Sequence, residues 1–217
     1  MSQVQGMEPL PKRTVVYVDG FNLYYGVLKD SPYKWLNLER FFCRLRQHDQ
    51  VQRIRYFIAR IFGTHAPNQE AYLLALETLP RVDIILGRFK TKQVECKVPA
   101  CPTAGPRIFS TYEEKRTDVN IALWMLHDAQ QDVCERLVLV TGDSDLVPAI
   151  CMIKDYFPNK EVIVYVPAKS LMRGAAVELR SVAHKDRTLP LDLLPKSQFP
   201  AQIKLDSGIL VKKPLTW

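Results

Sequence analysis

Arg136-Leu-Val-Leu-Val-Thr-Gly-Asp-Ser-Asp-Leu-Val-Pro-Ala149 is the stretch from which the architecture is read. Its first five residues are almost continuously apolar, which predicts a short strand buried on both faces. Thr141-Gly-Asp-Ser-Asp145 breaks the run with a polar turn. From Leu146 to Tyr156 the apolar residues Leu146, Ala149, Ile150 and Ile153 then return at helical spacing. The same strand, loop and helix unit recurs on either side. Thr14–Val18 ends at Asp19-Gly20 and leads into helical Phe21–Leu28. Val51–Phe62, with a strand-like middle at Ile54–Ile58, precedes amphipathic Gln69–Leu79 and the strand Val82–Leu86. Glu161–Val166 precedes a helical pattern over 170–179. Five such strands alternating with helices predict a three-layer α/β/α sandwich around a mainly parallel five-stranded sheet, Rossmann-like in outline.

The rest of the chain fits around that frame. With 217 residues, 47% hydrophobic and 24% charged, it has the balance of one globular core. We expect a polar leader over 1–13, one domain over 14–189 and an extended basic tail over 190–217, where prolines repeat. The interval at about 88–111 carries Pro99, Pro102, Gly105 and Pro106 and reads as a basic surface insertion. No apolar run approaches the roughly 20 residues of a membrane span, and the leader does not resemble a signal peptide. A soluble cytoplasmic protein without a membrane partner is the expectation. Five cysteines, an odd number, argue against a disulfide framework.

The net charge of +7 suits an anionic partner, and its distribution is more informative than its size. Lys34 to Arg60 holds seven basic residues against two acidic, and Arg88 to Arg107 five against one. Arg44, Arg46, Arg53, Arg55, Lys90 and Lys92 are therefore candidates to follow a phosphate backbone, with Tyr24, Tyr25 or Trp35 as candidates to stack bases. Each of these aromatics, taken singly, is more often a core residue.

Three acidic clusters fall where a parallel sheet presents chemistry, beyond the carboxyl ends of its strands. Asp19 ends the first strand, with Asn22 three residues on. Asp118 opens a strongly periodic helix, and Glu114 is expected to share a helical face with it. Asp143 and Asp145 crowd the end of the strand 136–140. Each alone has an ordinary reading as a helix cap or a favourable first-turn charge. Together, Asp19, Asp118, Asp143 and Asp145 predict one oxygen-rich site for Mg2+ or Mn2+ acting on a phosphodiester.

Tyr17-Val-Asp-Gly-Phe-Asn22, Tyr112-Glu-Glu-Lys-Arg-Thr-Asp-Val-Asn120 and Thr141-Gly-Asp-Ser-Asp-Leu-Val-Pro-Ala149 resemble, in order, the three signature blocks of the NYN domain family, which is related to PIN-domain nucleases. The resemblance runs from about Val15 to Val182, and Lys196-Ser-Gln-Phe-Pro200 resembles the tail of bacterial members. It implies a PIN-like fold and metal-dependent ribonuclease chemistry, with Asp19, Asp118, Asp143 and Asp145 on the acidic positions and Asn22 beside them. Lys115, Arg116 and Ser144 join the expected contacts to RNA, single-stranded or structured. Many members carry Gly after the Lys of the second block. Arg116 stands there instead, so that turn is expected to differ and Arg116 to reach toward substrate.

Rival readings are weaker. Cys96 and Cys101 are spaced as half a zinc site, with His65 or His127 as supplements. A haloacid-dehalogenase phosphatase would use Asp19 as nucleophile but wants an Asp where Phe21 stands. The four histidines form no triad pattern, and no glycine-rich phosphate loop is present. An RNA-binding adaptor that cleaves poorly is the main alternative to the ribonuclease. Open sheet edges leave room for a homodimer.

Overall fold

A computed structural model of the chain describes residues 10–98, 107–169 and 176–215. β1 (Arg13–Asp19) runs into α1 (Gly20–Leu23) and a π-helical turn, Tyr24–Leu28. Next come α2 (Leu38–Leu45), β2 (Gln50–Ile58), α3 (Ala66–Glu77), β3 (Val82–Leu86), β4 (Arg88–Glu95) and β5 (Ile108–Lys115). α4 (Thr117–Gln130), β6 (Arg136–Val140), a 3₁₀ turn at Ser144–Leu146, α5 (Val147–Tyr156), β7 (Glu161–Val166), α6 (Val177–Val182) and β8 (Lys185–Thr188) follow. β9 (Gln202–Lys204) and β10 (Leu210–Lys212) close the order.

The central sheet is six-stranded and parallel throughout, in the order β3-β2-β1-β6-β7-β8. Its sixth strand, β8, is the departure from the expected five. Lys185-Asp-Arg-Thr188 is a mostly exposed edge with no apolar run, so neither periodicity nor composition marks it as a strand. Alternation along the inner strands divides the core into two layers. Val16, Val18 and Ile54 face Phe41, Phe42 and Leu76 on one side, while Tyr17, Leu137 and Leu139 face Ile121, Met125 and Ile150 on the other. Burying each such side chain contributes on the order of 2 kcal/mol.

The chain leaves β1 toward β2 and β3 and returns to β6 on β1's other side, so the strand order switches direction between β1 and β6. A crevice at the carboxyl ends is expected there. Gly20 lets the chain turn away immediately after β1. A Cβ at that position would come within 2.7 Å of the Phe57 carbonyl oxygen and 2.9 Å of the Tyr56 ring.

Three segments differ from their sequence reading. The described part of the insertion is an antiparallel ribbon of β4 and β5, paired from Arg88↔Lys115 to Glu95↔Ile108. Its polar, charged strands hide the pattern. The segment after Pro190 is docked rather than merely extended: it buries Leu194 and Phe199, and Pro200 accepts a 2.8 Å hydrogen bond from Trp35 Nε1. Of the helix expected over 170–179, residues 177–182 form α6 and 170–175 lie outside the described residues. Among the described residues no helix is long and apolar enough to cross a membrane.

Candidate metal centre

Asp19 is the rigid base of the site. It is 3% exposed at the end of β1, and every contact on it is a donor: Asn22 N at 3.0 Å on Oδ1, with Asn22 Nδ2 at 2.6 Å and Thr141 Oγ1 at 3.0 Å on Oδ2. The helix-cap reading of Asp19 is therefore correct, and the cap also ties β1 to the loop after β6. Asn22 Oδ1 accepts from Gly142 N at 3.1 Å, and Thr141 Oγ1 accepts from Asp143 N at 3.1 Å. Asp143 in turn caps the 3₁₀ turn, accepting from Asp145 N at 3.0 Å.

From this scaffold Asp143 and Asp145 meet Asp118, which projects from the first turn of α4. One carboxylate oxygen from each of the three lies within 4.8 Å of the others. No Lys or Arg among the described residues forms an ion pair with Asp118, Asp143, Asp145 or Asp19. Burial, followed by the charges of Asp143, Asp19 and Asp145, pushes Asp118 up to about 6. Burial also raises Asp19, against the hydrogen bonds that lower it.

Glu114 is a fifth carboxylate here, and it reaches the site by a different route from the one expected. It belongs to β5, not to the helix, because α4 begins only at Thr117; the two share no helical face. Thr117 Oγ1 donates to Glu114 Oε1. Burial, with Asp19 and Asp118 adding to it, pushes Glu114 up to about 7. Arg116 makes the turn between β5 and α4 in the left-handed region, φ 81°. Glycine adopts that conformation freely, whereas Arg116 holds it at the cost of backbone strain.

The expected basic contacts divide. Lys115, Arg116 and Ser144 are exposed beside the carboxylates, and Lys115 Nζ donates to Glu113 at 2.7 Å. Lys90 and Lys92 are exposed on the ribbon, Lys92 lying 3.8 Å from Glu113. Arg55 is corrected: its guanidinium makes two 2.8 Å hydrogen bonds to the fully buried Asp128, which also takes the Tyr17 hydroxyl, and it stacks 3.9 Å over Trp124. It is not free for substrate. Arg44 is exposed near the end of α2, one short turn before β2 begins, and so belongs to the amino end of the sheet rather than to the carboxylate end. Trp35 is fully buried under the tail, so it cannot stack a base. Cys101 lies outside the described residues, and Cys96 is a free thiol.

Thr141 was missed by the sequence reading. It could have been found as the first residue beyond the strand 136–140.

The NYN domain model matches residues 13–188. The chain belongs to the NYN domain family. Membership of this family, part of the PIN-like nuclease superfamily, supports a nuclease-type function. This NYN domain is 32% identical over 208 residues to 6-hydroxy-3-succinoylpyridine 3-monooxygenase HspA of Pseudomonas putida, covering 82% of this chain and 66% of that protein. A crystal structure of a protein of unknown function from Vibrio parahaemolyticus shares the fold with a TM-score of 0.56 and 18% identity, over 86% of this chain and 98% of that one.

Proposed function

We propose that this NYN domain is a metal-dependent endoribonuclease that hydrolyses RNA phosphodiester bonds at Asp118, Asp143 and Asp145. The observation that supports this reading is the convergence of three carboxylate oxygens within 4.8 Å without a described basic partner. Like charges so close repel unless a cation joins them, and an all-oxygen donor set suits a hard ion, Mg2+ or Mn2+. Such an ion, when bound, supplies an activated water and neutralises charge developing on the phosphate.

The protein's own groups prepare that chemistry. Asp118, Asp143 and Asp145 would hold the ion. Asp19, through Thr141 and Asn22, fixes the loop that carries Asp143 and is a positioning residue. Glu114 Oε2 can carry a proton near neutral pH, since its carboxyl is pushed up to about 7 and Oε1 is held by Thr117. Lys90, Lys92, Lys115 and Arg116 supply exposed positive charge for the strand.

The relative's name favours a second chemistry, hydroxylation of a pyridine ring, and an aromatic-lined cavity next to the site would admit a flat ring. Against it, the metal-competent cluster found among the described residues is all carboxylate, a poor match for the histidine-rich donors usual for oxygen-activating iron.

Purified protein should be incubated with a mixed single-stranded RNA and a matched DNA in Mn2+, Mg2+ or EDTA, beside Asp143→Asn. Cleavage of RNA that needs metal and is lost in the variant is the expected result. Binding without cleavage under every metal would move the function to an RNA-binding adaptor, and oxygen uptake with a pyridine and a two-electron donor would move it to oxygenation.

A further inference from the structure

Beside the carboxylates runs a continuous row of five aromatic rings, in which half-buried Phe21 and Phe89 join three exposed ones. Tyr112 and Phe62 lie 5.5 Å apart, Phe62 and Phe89 6.3 Å, Phe89 and Phe21 5.6 Å, and Phe21 and Tyr25 6.2 Å, measured between ring centres. Phe62 is 65% exposed and Tyr25 and Tyr112 are each 58% exposed. Single exposed aromatics are ordinary, whereas exposed rings linked through half-buried ones into a row mark a binding surface. The row is anchored at the site. Phe21 lies two residues beyond Asp19, and Phe89 is paired across the ribbon with Glu114.

At the Phe21 and Tyr25 end the row opens into a cavity of about 240 Å³ walled by Phe21, Tyr24, Tyr25, Tyr56 and Tyr72. That is smaller than the roughly 300–1,000 Å³ of pockets for drug-sized ligands, and so takes one flat ring system. Lys29 and Lys34 stand on its lining, Lys29 5.3 Å from the Tyr25 ring centre, and neither is ion-paired among the described residues. Tyr56, only 5% exposed, offers a hydroxyl that no described residue hydrogen-bonds. A flat ring, a polar edge and adjacent phosphates make up an unpaired nucleotide.

We propose that this aromatic row and pocket bind unpaired bases of single-stranded RNA, one of them seated in the pocket next to the carboxylate site, which restricts the substrate to single strands. The inference rests on the ribonuclease reading for its substrate class. In a duplex the bases are stacked inside and cannot reach the rings, whereas splayed bases stack on aromatic side chains.

The test measures binding in EDTA, where no cleavage intervenes. The probes are a single-stranded oligoribonucleotide, the same backbone with abasic positions, and a blunt duplex; the proteins are the full chain, Tyr25→Ala and Phe62→Ala. Both replaced rings are exposed, so folding is little affected. The expected result is about tenfold weaker binding of the base-bearing strand by each variant, little change on the abasic strand, and weak duplex binding throughout. Equal losses on base-bearing and abasic strands, no losses, or duplex binding as tight as single-strand binding would overturn the proposal. So would uptake of a free heteroaromatic ring by the pocket with strand affinity unchanged in both variants. Metal-dependent cleavage, measured separately, keeps the two claims apart: unaltered base binding with cleavage intact removes this inference alone, while base-dependent binding without cleavage removes the ribonuclease alone.

Discussion

The two ends of the parallel sheet hold carboxylates under opposite conditions. At the amino end, where β1, β2, β6, β7 and β8 begin, every buried acid has a cation. Arg136 joins Asp49 and Glu161, whose side chains are 4% and 14% exposed; Arg46 adds to Asp49, and Lys12 and Lys185 add to Glu161. Burial alone would raise both carboxyls, but these partners reverse it and hold both below the usual range. At the carboxyl end Asp19, Asp118 and Glu114 are also withdrawn from water, have no such partners among the described residues and are raised. The first end contributes stability. The second gives up stability, as the proposed divalent-cation site would require.

That contrast can be broken most forcefully at the amino end. Arg136→Met leaves Asp49 and Glu161 short of their shared cation and should cost about 3–5 kcal/mol, a fall of roughly 10 °C in melting temperature. Cleavage per folded molecule at 25 °C should be unchanged. An unchanged melting temperature would mean that the network is ornamental.

Asp143→Asn acts at the other end. It should lower metal-dependent cleavage at least about a hundredfold while leaving stability equal or higher, because it removes one of several repelling charges. A stability loss with activity retained would reverse the assignment of the two ends.

The ends should also respond to pH with opposite sign. Asp49 and Glu161, held low, stabilise above the ordinary carboxylate range, and that contribution is lost as pH falls below about 4. Asp118 and Glu114, held high, impose a penalty that grows as pH rises from about 4.5 through about 6 and about 7. Metal-free protein should therefore be most stable near pH 5. Glu114→Gln should raise its melting temperature by about 3 °C at pH 8, corresponding to about 1 kcal/mol after screening, and leave it unchanged at pH 5.

The smallest effect belongs to the turn that delivers Asp118. Relieving left-handed strain by Arg116→Gly should stabilise by about 0.5 kcal/mol, the gain in the folded state being partly offset by the freer unfolded chain. Chemical denaturation would show it as a small rise in midpoint at constant slope.

What the sequence disclosed follows from where information resides in a chain. Strands such as Arg136–Val140, buried on both faces, announce themselves by composition, and their ends locate Asp19, Asp143 and Asp145. β8 and the ribbon of β4 and β5 are half exposed and polar, so no apolar pattern betrays them. The error on Glu114 came from treating the acidic run before Asp118 as helix, when the left-handed Arg116 ends a strand there. Arg55 was misread because a basic residue in a strand looks the same whether it meets phosphate or a buried acid, and its partner Asp128, 73 residues further along the chain in α4, cannot be seen from spacing alone.

The central claim is that the unpaired carboxylate end is built for a divalent cation. Thermal unfolding with and without Mn2+, for wild type and Asp143→Asn at pH 5 and pH 8, addresses it directly. The account predicts that Mn2+ raises the wild-type melting temperature, more at pH 8 than at pH 5, and has little effect on the variant. Equal shifts in both proteins, or no shift in the wild type at either pH, would contradict it.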